Sequence, residues 1–190
     1  MTRRTTALIA LTGLVTAAIL LALLWLVLYP SLLPDGMRPF EARFGSLTFD
    51  QLRNIMLALG PEGRFNYRFV LVPVDMVLVL AYGAGIGCAI VWLRGEPDRM
   101  TIAEMRRRQS AGKRVRSAVG SVFLVAPFLA AAFDFWENVL VFRLLGQGES
   151  VSIRLLAELN RTSGYKWGFL ALTGVAFVVQ LLGYLARRGN

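Results

Sequence analysis

Three acidic residues, Asp75, Asp134 and Glu137, stand inside stretches otherwise apolar enough to cross a bilayer. A carboxylate at the centre of a membrane helix costs roughly 2.5–3.5 kcal/mol on insertion scales, so each needs a partner or a purpose. The segment around two of them reads Phe133-Asp134-Phe135-Trp136-Glu137-Asn138. Spacings of three and four put Asp134, Glu137 and Asn138 on one helix face. Tyr82 falls seven residues after Asp75 and shares its face. Pro73 precedes Asp75 by two residues and Pro127 precedes Asp134 by seven. Pro127 removes a backbone donor, frees a carbonyl and bends its helix.

Acids so placed support four kinds of chemistry. They can form a salt-bridged and hydrogen-bonded knot between helices, with Arg68, Arg143 and Lys166 reaching inward from the outer span ends as counterions. They can line an outer cavity for a cationic or lipid ligand. They can hold a hard cation through oxygen, but two carboxylates and an amide make a thin site, and no metal is expected. They can carry protons or assist catalysis, for which a carboxyl pair without histidine or an activated nucleophile is weak support. The residues favour the structural knot, and no cofactor is implied. At a rise of 1.5 Å per residue, Asp75 lies about 12 Å below Tyr67, and Glu137 a similar depth below Leu145. Both fall in the outer half of the bilayer, so the acids can meet.

The chain lacks histidine, which excludes histidine-ligated zinc, Ser–His and Cys–His hydrolases and imidazole relays. The single cysteine, Cys88, lies among glycines and reads as a small packing residue. Arginine far outnumbers lysine, a composition of GC-rich bacterial genomes.

The elements that position the acids are membrane spans. The chain of 190 residues is 56% hydrophobic, and four apolar runs reach the length of about 20 residues needed to cross the hydrocarbon. They are expected at 7–29, 70–93, 118–142 and 167–185, which makes residues 1–190 a single all-α membrane domain: a four-helix bundle. Arg3 and Arg4 ahead of the first run resemble the start of a signal peptide, but the run is longer than a secretory core and no small-x-small site follows.

Charge sets the expected topology. The N-terminus, the loop 94–117 and the tail 186–190 carry the whole net charge of +9, and the remaining basic and acidic residues cancel. By the positive-inside rule that side is the cytoplasm, with both termini inside a bacterial inner membrane. Trp25, Tyr29, Tyr67, Tyr165 and Trp167 form the expected outer aromatic belt, and Trp92 and Tyr184 the inner one.

Two outer amphipathic helices are predicted in loops 30–66 and 146–164. In the first, Thr48 and Gln51 form a capping box. Phe49, Leu52, Ile55, Met56 and Leu59 then recur at helical spacing up to Gly60-Pro61. This helix either lies on the outer surface or caps the bundle. In the second, Ser150 or Ser152 caps a helix with Ile153, Leu156 and Leu159 on one face, broken at 160–164. The basic loop starts with a capping box at 101–104 and then presents Arg106, Arg107, Arg108, Lys113, Arg114 and Arg116. Such a cluster binds anionic headgroups, or it docks a cytosolic protein, with RNA-processing machinery as one candidate. It has no aromatic side chain on which bases could stack. Gly83, Gly85 and Gly87 let another helix approach closely, inside the bundle or in a homodimer.

The run Gly60-Pro61-Glu62-Gly63-Arg64-x-x-Tyr67, followed by Asp75 and by Asp134-x-x-Glu137-Asn138, resembles a group of small four-span bacterial membrane proteins over about residues 40–186. The resemblance implies fold and location. The function expected is a non-enzymatic membrane binding or scaffold protein. The alternative is a small transporter, or a protein binding a lipid or cationic ligand in an acidic outer cavity.

Overall fold

A computed structural model describes residues 2–34, 37–40, 46–94, 111–148, 150 and 152–188. The described chain forms four helices: α1 (Arg3–Leu32), α2 (Phe49–Arg94), α3 (Ala111–Gly146) and α4 (Ile153–Arg188). Among the described residues there is no strand. All four helices are long and apolar enough to cross a membrane. α1 packs chiefly along α2, α3 packs on both α2 and α4, and α4 also touches α2.

The first turn of α1 lies beside the last turns of α2 and α4. The Arg3 guanidinium sits 5.4 Å from the centre of the Trp92 ring, which is 5.3 Å from the Tyr184 ring. The start of α1 and the last turns of α2 and α4 therefore meet where the inner aromatic belt is expected.

The opposite end is closed by the first part of α2, an arm ahead of Gly60. The predicted capping box forms: Gln51 N–H donates to Thr48 Oγ1 at 3.2 Å and Thr48 N–H donates to Gln51 Oε1 at 3.0 Å. Leu52, Ile55, Met56 and Leu59 are buried in a core shared with Leu24, Tyr29, Tyr67, Leu140, Leu144 and Leu156. The arm thus caps the bundle. Gly60 turns the chain with φ 60° and ψ −177°, a region open essentially only to glycine, and Pro61 supplies a preset φ for the first turn of the span. Arg64 spans the kink by donating from Nη1 to the Met56 carbonyl at 2.8 Å. Gly60-Pro61 is accordingly a sharp bend inside one helical run.

Two wider helical turns, Leu24–Leu28 and Tyr67–Leu71, each end two residues before a proline, Pro30 and Pro73. A proline lacks the donor for the regular i→i−4 ladder, and a wide turn adjusts the backbone around that gap.

The fourth helix departs from expectation. A separate outer helix broken at 160–164 is not formed; α4 runs without interruption from Ile153. Three of the polar residues that suggested a break are taken into the fold instead. Asn160 accepts from Leu47 N–H at 2.8 Å and donates to the Leu47 carbonyl at 2.9 Å, and Thr162 and Ser163 are buried. Leu156 and Leu159 do face the core as predicted, while Ile153 is exposed. α3 likewise begins at Ala111, inside the predicted 94–117 loop. Arg106, Arg107, Arg108 and the expected capping box at 101–104 lie outside the described residues, and only the backbone of Lys113, Arg114 and Arg116 is described.

Candidate functional site

The core face of α3 carries Ala126, Ala130, Asp134, Glu137, Asn138, Val141 and Leu144, all buried at spacings of three and four. The two acids and the amide thus interrupt an otherwise apolar stripe. The facing stripe of α4 runs Leu159, Thr162, Ser163, Lys166, Thr173 and Ala176, also buried. α2 brings Asp75 on the face shared with Leu78, Val79 and Tyr82. Three helices therefore turn polar side chains toward one interior point.

There they form a continuous knot. Lys166 Nζ lies 2.5 Å from Glu137 Oε2 and 2.9 Å from Asp134 Oδ1, bridging the two acids of α3 from α4. Ser163, three residues before Lys166, is buried on the same face of α4. From α2, Tyr82 donates its hydroxyl to Asp134 Oδ2 at 2.7 Å. Asn138 returns the link by donating from Nδ2 to Asp75 Oδ2 at 2.6 Å. Relative exposures are 6% for Asp75, 7% for Asp134, 3% for Glu137, 0% for Asn138 and 3% for Lys166. The convergence expected of Asp75, Asp134, Glu137, Asn138 and Tyr82 is present.

Of the three expected counterions only Lys166 joins. Arg143 is exposed, since it lies five residues beyond Asn138 and so on a different face of α3. Arg68 instead lays its guanidinium over Phe142 at 4.3 Å and Phe69 at 5.2 Å. A Cβ at Gly146 would stand 2.7 Å from Arg68 Nη1, so the bare Gly146 backbone admits the guanidinium beside the last turn of α3. The carbonyls left unpaired at a helix C-terminus favour a cation there.

This leaves the knot short of positive charge. Three carboxyl groups face one ammonium, an excess of two negative charges if all are ionised. Buried charge is costly unless paired. One amide atom is also unmatched: Asn138 Oδ1 is buried with no hydrogen-bond partner. Among the described residues, no three carboxylates surround a point where a metal ion could sit.

Beside the knot, α2 and α3 leave an apolar groove of about 470 Å³ lined by Leu80, Gly83, Ala84, Phe128, Ala131, Ala132 and Phe135. None of the acids lines it. The glycines of α2 are taken up by internal contacts. A Cβ at Gly83 would lie 2.6 Å from the Ala131 Cβ, one at Gly85 2.8 Å from the Leu14 backbone nitrogen, and one at Gly87 2.6 Å from the Phe128 ring.

Sequence reasoning missed Ser163 and Asn160, which it assigned to a helix break. Ser163 stands three residues before Lys166 and so on its face, a spacing that could have revealed it. The partnership of Asn160 with Leu47 spans 113 residues, and no local signal announces it.

Fold and site together define an all-α bundle of membrane-crossing length, locked by an interior acid–lysine knot. No protein-family model matches the chain, and neither the curated proteins nor the solved structures contain a match.

Proposed function

We propose that this protein is a non-enzymatic binding or scaffold protein of the bacterial inner membrane, with both termini and the basic 94–117 segment in the cytoplasm. One observation carries the reading: each intramembrane acid has an interior partner on a neighbouring helix. Asp75 is held by Asn138, Asp134 by Tyr82 and Lys166, and Glu137 by Lys166. That pattern supports a lock between helices rather than an open reaction centre. The docking surface is then the segment where the net charge gathers, and its ligand is an anionic lipid headgroup.

The test uses the full-length protein in neutral detergent, titrated with phosphatidylglycerol, with Arg106, Arg107 and Arg108 all replaced by glutamine. At about 1 kcal/mol per basic residue near a charged surface, affinity should fall by at least roughly tenfold. Unchanged lipid affinity together with loss of a co-purifying cytosolic protein would replace the lipid by a protein partner, RNA-processing machinery among the candidates. If neither changes, the docking reading fails.

A further inference from the structure

The charge shortfall and the unmatched amide oxygen occupy the same corner of the knot, where α2 meets α3. Lys166 is engaged by Asp134 and Glu137 at 2.9 and 2.5 Å, while the contact described between Asp75 and α3 is the amide of Asn138. Asn138 is fully buried, and its Oδ1 has no hydrogen-bond partner. A buried carbonyl oxygen without a donor is rare in folded proteins and requires an explanation. Rotating the carboxamide by half a turn leads to the same need. It would set Asn138 oxygen against Asp75 oxygen at 2.6 Å, a contact that holds only with a proton between them. As built, the amide oxygen calls for a donor, and in the flipped orientation the corner calls for a proton.

Every charged group facing Asp75 has the wrong sign or is already engaged. α3 presents Asp134 and Glu137, both negative; α4 presents Lys166, bound to those two. Tyr82 on α2 itself donates to Asp134. α1 carries no charged side chain between Arg4 and Leu32, and Asp50 and Arg53 of the arm are exposed.

We propose that the Asp75–Asn138 corner binds a small monovalent cation, a proton or Na⁺, as part of the folded protein. A proton on Asp75 neutralises the carboxylate and supplies a donor to the amide oxygen. Na⁺ performs both tasks through oxygen ligation by Asp75 and Asn138, with water or backbone carbonyls completing its shell. A monovalent ion suffices, because Asp75 is the carboxylate of the knot left without a cation once Asp134 and Glu137 share Lys166. The inference is independent of the docking reading, since it concerns residues outside the basic segment.

The test measures thermal unfolding of the full-length protein in detergent across pH 6–8, in NaCl and in choline chloride at equal ionic strength. A proton bound by the native state and released on unfolding makes stability fall as pH rises. A full proton corresponds to a Tm drop of roughly 3–5 °C per pH unit for a chain of this length. A Na⁺ site shows instead as a Tm higher in NaCl than in choline chloride, with protons released to a weakly buffered indicator dye if the two ions compete. Asp75→Asn removes the charge that needs the cation, so the variant should lose whichever dependence the wild type shows. The wild-type measurements stand even if the variant does not fold. A wild-type Tm indifferent to both pH and Na⁺ overturns the proposal. So does a folded Asp75→Asn protein that keeps the full wild-type dependence.

Discussion

The two seams of this bundle are held by opposite means. Between α1 and α2 the contact is dry and made by absence: a Cβ at Gly13 would stand 2.8 Å from the Ala81 carbonyl oxygen and from the Gly85 Cα. Backbones that approach so closely gain dispersion contacts without any polar group, the usual way of joining helices in lipid, where no hydrophobic effect drives them together. Between α2, α3 and α4 the contact is a buried network of carboxyl, ammonium, amide and phenol groups. Close packing tolerates no added atoms. The ionic network tolerates no missing partner. Each seam should therefore fail under a different class of substitution.

The largest effect is expected at the centre of the ionic seam. Lys166→Met keeps the volume but leaves Asp134 and Glu137 buried side by side without their cation. Removing one partner of a buried ion pair costs about 3–5 kcal/mol, so the variant should unfold at a much lower temperature in detergent or fail to accumulate. Adding Asp134→Asn and Glu137→Gln to the same chain should restore most of the loss, because it removes the buried charges left without a partner. A triple variant as unstable as the single one would show that Lys166 acts through packing of its stem and not through its charge.

How far this seam could be read in advance depended on which signal each residue left. The acids were conspicuous, since a charge in an apolar run needs a partner or a purpose. Asp134, Glu137 and Asn138 were placed on one face by spacing alone, and the structure keeps them there. Which cation would serve was less legible, because length of side chain did not discriminate among Arg68, Arg143 and Lys166. Helical phase would have removed Arg143, but nothing local foretold that Arg68 would prefer the rings of Phe69 and Phe142. The first arm was readable because its capping box and its apolar spacing agree. The second was misread because Asn160, Thr162, Ser163 and Gly164 form a turn-like string, whereas Asn160 pairs with Leu47 and Thr162 and Ser163 are buried in the fold, and tertiary context overrides local preference. The same limit applies to Gly83, Gly85 and Gly87: their small size announced a close approach, while the identity of the approaching helix was set by the fold.

A smaller effect is expected at the dry seam. Gly13→Val inserts a branched side chain against the backbone of α2, and overpacking of this kind costs about 1–3 kcal/mol. Tm should fall, with the Trp92 fluorescence shifting as the Arg3 contact at the end of α1 loosens. Combined with Lys166→Met the losses should add to within about 0.5 kcal/mol, as they do for sites sharing no partner. A clear departure from additivity would mean that the two seams form one cooperative unit and that the contrast between them is only chemical.

The smallest effect has the opposite sign and uses a glycine that belongs to neither seam. Gly168 is exposed on α4, and a Cβ there would meet nothing within 4 Å. With no contact to disturb, Gly168→Ala should act through helix propensity alone and stabilise the protein by about 0.5–1 kcal/mol. Gly85→Ala, in contrast, must push its new methyl against the Leu14 backbone 2.8 Å away and should destabilise. The same Gly-to-Ala change thus reports opposite signs from a covered and an uncovered helix face, measured as Tm shifts in detergent. If Gly168→Ala also destabilised the protein, that face of α4 would be covered in the folded particle, and the bundle would have a third seam of the dry kind.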